Sequence, residues 1–185
     1  MKRMAPAVPA AATAPGHRLA READLAAIVA IYNETIAARL VTADLEPVSV
    51  ESRRAWFREH DRPTRPLWVI ERDGAVAAWL SFSCFYGRPA YDGTAEVSVY
   101  VAGRARRCGL ASALLRAAVA AGPALGLHTL LGFIFGHNAP SLALFERLGY
   151  QRWGLLPRVA VLDGIERDLV IVGHHIRSSG TSKPA

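Results

Sequence analysis

Cysteine is almost missing from this chain of 185 residues, which carries only Cys84 and Cys108. Two thiols fall short of the disulfide framework of a small secreted domain and of a four-ligand zinc site, so the expectation is a reducing cytoplasm and no metal. Internal repeats are lacking, as is any break that would separate two folded domains. An unbroken apolar span is lacking too. Residues 117–135 carry no Asp, Glu, Lys or Arg, but Gly122-Pro123, Gly126 and His128 divide them into a helix end and a separate strand. Residues 1–16 open with Lys2-Arg3 and continue in alanine and proline. Pro6, Pro9 and Pro15 interrupt the apolar region a secretory leader needs. These residues read as a disordered extension and 178–185 as a disordered tail, leaving 17–177 as one domain.

The composition that remains is that of a soluble globular protein, 51% apolar and 21% charged. A formal charge of +6 favours an anionic partner, either nucleic acid or a phosphorylated cofactor.

Hydrophobic periodicity divides the domain into elements. His17–Arg21 reads as a short strand, and Asp24 as the cap of a helix with Leu25, Ile28, Val29, Ile31, Tyr32 and Ile36 at helical spacing. Ser49 caps a second helix through Trp56 and Phe57, closed by Pro63 and Pro66. Residues 67–71 and 75–85 form a hairpin about Asp73-Gly74, followed by a turn-rich loop and a strand from Glu96 to Val101. An alanine-leucine helix runs from Ala111 to Gly122, and residues 128–135 make another strand. Asn138 and Pro140 start a helix that Gly149 stops; residues 150–162 and 165–176 are two last strands about Asp163-Gly164. The order predicts a mixed α/β domain of the α+β type, with about seven largely antiparallel strands and about four helices.

Chemistry concentrates at Arg104-Ala105-Arg106-Arg107-Cys108-Gly109-Leu110-Ala111-Ser112. A basic, glycine-containing turn leaves a strand there and opens a helix. Free backbone N–H groups, the positive end of the helix dipole and three arginines converge, which suits a phosphate or pyrophosphate.

Arg106-Arg107-Cys108-Gly109-Leu110-Ala111 resembles the Arg/Gln-x-x-Gly-x-Gly/Ala signature of the GNAT acetyltransferase superfamily. Asn138-Ala139-Pro140-Ser141 through Leu144–Tyr150 is similar to that family's second cofactor segment. Residues 90–101 resemble the matching stretch of phosphinothricin and methionine sulfoximine N-acetyltransferases. The resemblance covers residues 17–176 and implies a GNAT fold with splayed central strands, in which acetyl passes from acetyl-CoA to the amine of a small amino-acid-like substrate.

On that resemblance, the backbone of Arg106, Arg107, Cys108, Gly109, Leu110, Ala111 and Ser112 holds the CoA pyrophosphate. Val99, Tyr100 and Val101 offer free backbone groups to the pantetheine and the acetyl carbonyl, one N–H serving as oxyanion donor. Asn138 bonds the pantetheine arm from the opposite side. Glu96 matches the general base, acting directly or through water. Arg88 and Tyr91 match the positions that hold a substrate carboxylate, with Tyr86, Gly87, Glu96 and Ser98 lining the same pocket. A homodimer is expected by resemblance alone.

Blander readings stand beside these. Glu96 also reads as a strand-end carboxylate facing water or pairing with an arginine, and Arg88 as an exposed loop arginine. Cys108 suggests a covalent acetyl-cysteine, but direct transfer is favoured. His137 reads as solvated, His174 and His175 point to opposite faces and share no metal, and Trp68, Trp79 and Trp153 read as core or pocket wall. Two departures from the family matter. Phe145 stands where related enzymes carry a tyrosine or histidine near the CoA sulfur, and Arg39-Leu40-Val41-Thr42 replaces the small and hydroxylated residues of the substrate-facing loop. A CoA-binding protein without catalysis, or a basic nucleic-acid-binding domain, are the alternatives.

Overall fold

Seven strands form one open sheet in the order β1-β2-β3-β4-β5-β7-β6, here described from a computed structural model covering residues 16–61 and 63–176. The chain runs β1 (Arg18–Leu19), α1 (Leu25–Asn33), α2 (Val50–Glu59), β2 (Leu67–Arg72), β3 (Ala75–Cys84) and β4 (Thr94–Val101). It continues through α3 (Leu110–Ala121), β5 (Thr129–Phe135), α4 (Ala139–Arg147), β6 (Gln151–Leu162) and β7 (Ile165–His175). Every pairing is antiparallel except β4 with β5. This is the mixed, mostly antiparallel architecture that the pattern predicts. Residues 1–15 of the extension expected over 1–16, and the tail at 178–185, lie outside the described residues.

Local chemistry accounts for most boundaries. Asp73-Gly74 and Asp163-Gly164 adopt paired positive φ values of 53°/73° and 49°/79°, the twist that closes two-residue hairpins. Ser49 Oγ accepts from Ser52 N–H (3.1 Å) and Asn138 Oδ1 from Ser141 N–H (3.2 Å), so both predicted caps form. Asp24 is a correction. Its carboxylate accepts from Arg21 N–H (2.7 Å) and pairs with Arg18, closing a 3-10 turn at Glu22–Asp24 from which α1 continues. The first helix also ends at Asn33. Ile36 is buried from the irregular turns that follow, where Arg39 sits at φ 51°.

The core is centred on β2–β5. Val69, Leu80, Phe82, Leu114, Leu115, Leu130 and Val172 are wholly buried, each worth roughly 1.5–3 kcal/mol of transfer from water. Trp68 and Trp79 belong to that core, whereas Trp153 is 40% exposed, contrary to the core-or-wall reading. Among the described residues no helix is long and apolar enough to cross a membrane.

β4 and β5 pair only over Thr94–Thr129, Ala95–Leu130 and Glu96–Leu131, and then diverge. On its other edge β4 stays paired with β3 through Val101 opposite Ala78. The sheet therefore opens between two strands that both stay anchored by their outer neighbours.

Candidate active site

Three contiguous spaces line this opening, and the alternation of β4 decides what each receives. Ala102 N–H bonds Ala77 O on the β3 side (2.9 Å), while Gly93 O accepts from His128 N–H (2.9 Å) on the β5 side. By period-two alternation the backbone N–H and C=O of Val99 and Val101 face the β5 side, past the last β4–β5 pair. The side chains of Glu96, Ser98 and Tyr100 share one face.

That face lines a cavity of about 200 Å³. Ser83, Ser81 and Trp79 of β3 stand opposite Glu96, Ser98 and Tyr100 across the strand pair. Tyr32 of α1, with Arg53 and Trp56 of α2, closes it from above. Tyr100 stacks on Trp79 with ring centroids 4.3 Å apart and lies 5.2 Å from Tyr32. Glu96 has no hydrogen-bond or ion-pair partner among the described residues, and its burial pushes its carboxyl above the ordinary range, since a lone carboxylate loses hydration there. The side chain is half-buried in this cavity and pairs with no arginine among the described residues.

Beyond the wall made by Ser98 and Tyr100 lies a narrow slot between the diverging strands, bounded by Val99, Gly132, Phe133, Asn138 and Phe145. Phe145 is 4% exposed and meets Tyr150 edge-on at 4.8 Å. A Cβ on Gly132 would come within 3.0 Å of the Phe145 ring, so glycine there lets α4 approach the sheet. Asn138 lies at the slot, but its polar atoms are engaged. Oδ1 caps α4, and Nδ2 donates to Leu40 O (2.9 Å). His137 is not free in solvent either, because its Nε2 is hydrogen-bonded to Arg39 O (2.8 Å). Together the two side chains tie the 39–42 segment to the start of α4. Arg39 is held at its other end by Asp163 (2.8 Å), in the β6–β7 turn.

The slot continues into a cradle of about 440 Å³ at the start of α3. Arg107 and Gly109 hold left-handed conformations at φ 60° and 77°, and Gly109 occupies the capping position with no side chain to offer. Ala113 N–H makes the first helical bond, to Gly109 O (3.0 Å). The N–H groups of Leu110, Ala111 and Ser112 thus have no helical acceptor. Arg106 and Arg107 line the cradle, and Arg147 of α4 joins them from the far wall. Arg104 turns away, its Nη2 donating to Val76 O (2.9 Å). Arg147 lies in the stretch that resembles the second cofactor segment but is not singled out by sequence, because its spacing from the turn carries no pattern. Cys108 is exposed within the turn.

Tyr86, Gly87, Arg88 and Tyr91 lie in the exposed β3–β4 loop and do not line the Glu96 cavity. The ring centroid of Phe85 lies 4.4 and 5.4 Å from those of Tyr86 and Tyr91 and 6.5 Å from that of Phe133, a slot residue, so the start of the loop borders the slot. Arg65 fixes its far end by donating to Asp92 O (2.7 Å) and Thr94 O (3.1 Å). Arg53, absent from the candidates drawn from sequence, is the arginine that shares a cavity with Glu96.

Comparison with known proteins agrees with this geometry. The acetyltransferase (GNAT) family model matches residues 25–150. YwnH of Bacillus subtilis, provisionally named a phosphinothricin acetyltransferase, is 54% identical over 86% of this chain and 98% of its own. An L-methionine sulfoximine/L-methionine sulfone acetyltransferase of Pseudomonas aeruginosa is 34% identical over 81% of this chain and 88% of its own. The crystal structure of a GNAT phosphinothricin acetyltransferase from Sinorhizobium meliloti in complex with AcCoA superposes with a TM-score of 0.84 at 28% identity, covering 94% of each chain. With the sheet opening, the uncapped α3 terminus and these relatives in agreement, the chain belongs to the GNAT family of N-acetyltransferases.

Proposed function

We propose that this acetyltransferase moves acetyl from acetyl-CoA directly to the amine of a small amino-acid-like acceptor of the phosphinothricin, methionine sulfoximine or methionine sulfone kind. The observation that carries the reading is the position of Glu96: a half-buried, unpartnered carboxylate that lines a cavity at the residue where the sheet opens, on the strand that leads to the cradle at the start of α3.

The residues present fit acetyl-CoA. Leu110, Ala111 and Ser112 turn unpaired N–H groups toward the cradle, no atom lies within 4 Å of a Cβ built on Gly109, and Arg106, Arg107 and Arg147 supply positive charge. When bound, the thioester supplies the activated acetyl group. Glu96 takes the proton of the acceptor amine, directly or through water, and its raised pKa brings its basicity closer to that task. The N–H of Val99 or Val101 stabilises the charge that develops on the acetyl oxygen. Phe145 has no proton to give, so a water or another hydroxyl serves the departing thiolate. Arg88 and Tyr91, in the exposed loop whose Phe85 approaches the slot, serve as acceptor contacts, Ser98 joins them from the strand, and Asn138 contributes to the pantetheine side with the N–H of Nδ2 not given to Leu40.

Thiol release from acetyl-CoA across a panel of amino acids, sulfoximines, sulfones and polyamines tests this. Release limited to the amino-acid analogues is expected. Phe145 favours the second reading, a CoA-binding protein without catalysis, and silence across the panel with intact CoA binding would select it. A cytoplasmic homodimer completes the proposal. Its support is the apolar surface of the β6–β7 hairpin, where Leu155, Val159, Val161 and Ile165 are each more than half exposed. Light scattering that finds a monomer would end the dimer assignment.

A further inference from the structure

We propose that Arg53 is the acceptor's anion-binding residue, offering its open guanidinium edge to an oxyanion of the acceptor inside the Glu96 cavity; this rests on the acetyl-transfer reading for the identity of the acceptor. Arg53 comes from the middle of α2 and lines the same space as Glu96. Of its five N–H donors, one is used: Nη2 donates to Asp44 Oδ2 at 2.8 Å. Nε and Nη1 have no partner among the described residues. Asp44 is itself held, since Oδ2 also accepts from Tyr32 O–H at 2.6 Å, and Tyr32 meets Thr42 in a further hydrogen bond. The guanidinium carbon lies 4.8 Å from the Tyr32 ring centroid and 5.9 Å from that of Trp56. The plane is thus supported on an aromatic corner with one edge tied and one edge open, so little conformational freedom remains to be lost when an anion arrives.

The rest of the cavity limits the acceptor further. Glu96 is the acidic group suited to an ammonium, and Arg53 is the cation that lines the same cavity without pairing with it. The walls between are the aromatic rings of Tyr32, Trp56, Trp79 and Tyr100, with Ser81 and Ser83 on the floor. A space of about 200 Å³ with a carboxylate for an amine and a guanidinium for an anion is matched to a small zwitterion. Two oxyanions could meet Arg53, the α-carboxylate of an amino acid or a distal phosphinate. Their shared chemistry is a resonance-stabilised oxygen pair, which the arginine fork takes in two parallel bonds.

Binding rather than turnover decides the matter. L-Methionine sulfone, its carboxamide and phosphinothricin are titrated calorimetrically into the wild-type chain and into Arg53→Gln, Arg53→Lys and Arg88→Ala, with and without coenzyme A. The wild type is expected to prefer the carboxylate over the carboxamide, and Arg53→Gln to weaken the carboxylate about 10- to 100-fold while leaving the carboxamide unchanged. Arg53→Lys keeps a charge beside Asp44 and should lose most of the preference while retaining the thermal midpoint. If Arg53→Gln weakens phosphinothricin but leaves the sulfone and its carboxamide alike, Arg53 holds the distal phosphinate. Equal weakening of all three ligands in both Arg53 variants, or no weakening, overturns the proposal. So does loss of the carboxylate preference in Arg88→Ala with its retention in Arg53→Gln. Thiol release by the wild type is measured in parallel. Its absence would sink the acetyl-transfer reading, while the binding ratios still decide the role of Arg53.

Discussion

Glu96 stands opposite Leu131 in the last residue pair that joins β4 to β5. One residue earlier, its backbone would be sealed in a continuous sheet. Three residues later, Val99 has its N–H in the gap. The proposed proton acceptor and oxyanion donor are therefore neighbours on one strand, with the side chain and the backbone directed to different spaces.

Replacing Glu96 with glutamine keeps the shape and removes the base. Turnover at neutral pH should fall about 10²- to 10⁴-fold, with acetyl-CoA affinity by calorimetry unchanged. Turnover within a factor of two of wild type would remove Glu96 from the role.

The same substitution has a stability signature with a defined sign. Because burial raises the folded-state pKa of Glu96, the folded chain holds that proton more tightly than the unfolded chain. The contribution is favourable in acid and is lost as pH rises from the unfolded value through the raised folded one. Above that window wild type carries an unpartnered, partly buried charge. Glu96→Gln should melt above wild type at pH 8, with the difference shrinking toward pH 4, as read by calorimetric scans. In wild type the acid limb of the kcat/KM profile should also lie above the ordinary carboxylate range.

Gly109 tests the cradle. No atom lies within 4 Å of a Cβ built there, but φ is 77°, so Gly109→Val strains the backbone by about 1–2 kcal/mol and places methyl groups over the N–H groups of α3. Acetyl-CoA affinity should drop about tenfold or more by calorimetry; an unchanged affinity would displace the cofactor assignment.

Arg147→Ala separates charge from shape at the same place. Loss of one cationic wall should weaken acetyl-CoA about tenfold, while a truncated acetyl-pantetheine donor, which has no pyrophosphate, should be used as well as by wild type. Equal losses for both donors would indicate that Arg147 acts only through α4 packing.

Asn138→Ala should cost about 2 kcal/mol, the sum of a helix cap and one hydrogen bond to Leu40 O. The thermal midpoint should fall by about 4–8 °C. A midpoint within 1 °C of wild type would show that neither bond contributes.

Local rules made much of this protein readable from its residues. Two Asp-Gly hairpins, the Ser49 and Asn138 caps and the Gly149 stop depend on backbone preferences of a few neighbouring residues. The anion cradle is legible for the same reason, being one contiguous turn. Asp24 was misread as a cap because its ion pair with Arg18 engages the carboxylate that the helix would otherwise use. His137 was misread because its partner, Arg39 O, is brought to it only by folding.

Sequence alone determined the order of elements and the glycine-containing turn that opens α3, because these follow from short-range periodicity and from one strand–turn–helix segment, while Glu96 was singled out by the family resemblance. Only the tertiary structure decided that Arg53 shares a cavity with Glu96, that Arg147 faces the α3 turn, that Arg104 turns away, and that Asn138 is occupied by a cap and a loop carbonyl. Each depends on two segments distant in the chain meeting across a sheet that opens where its two central strands part. No local pattern encodes such a meeting, which is set by the packing of helices and loops around that opening.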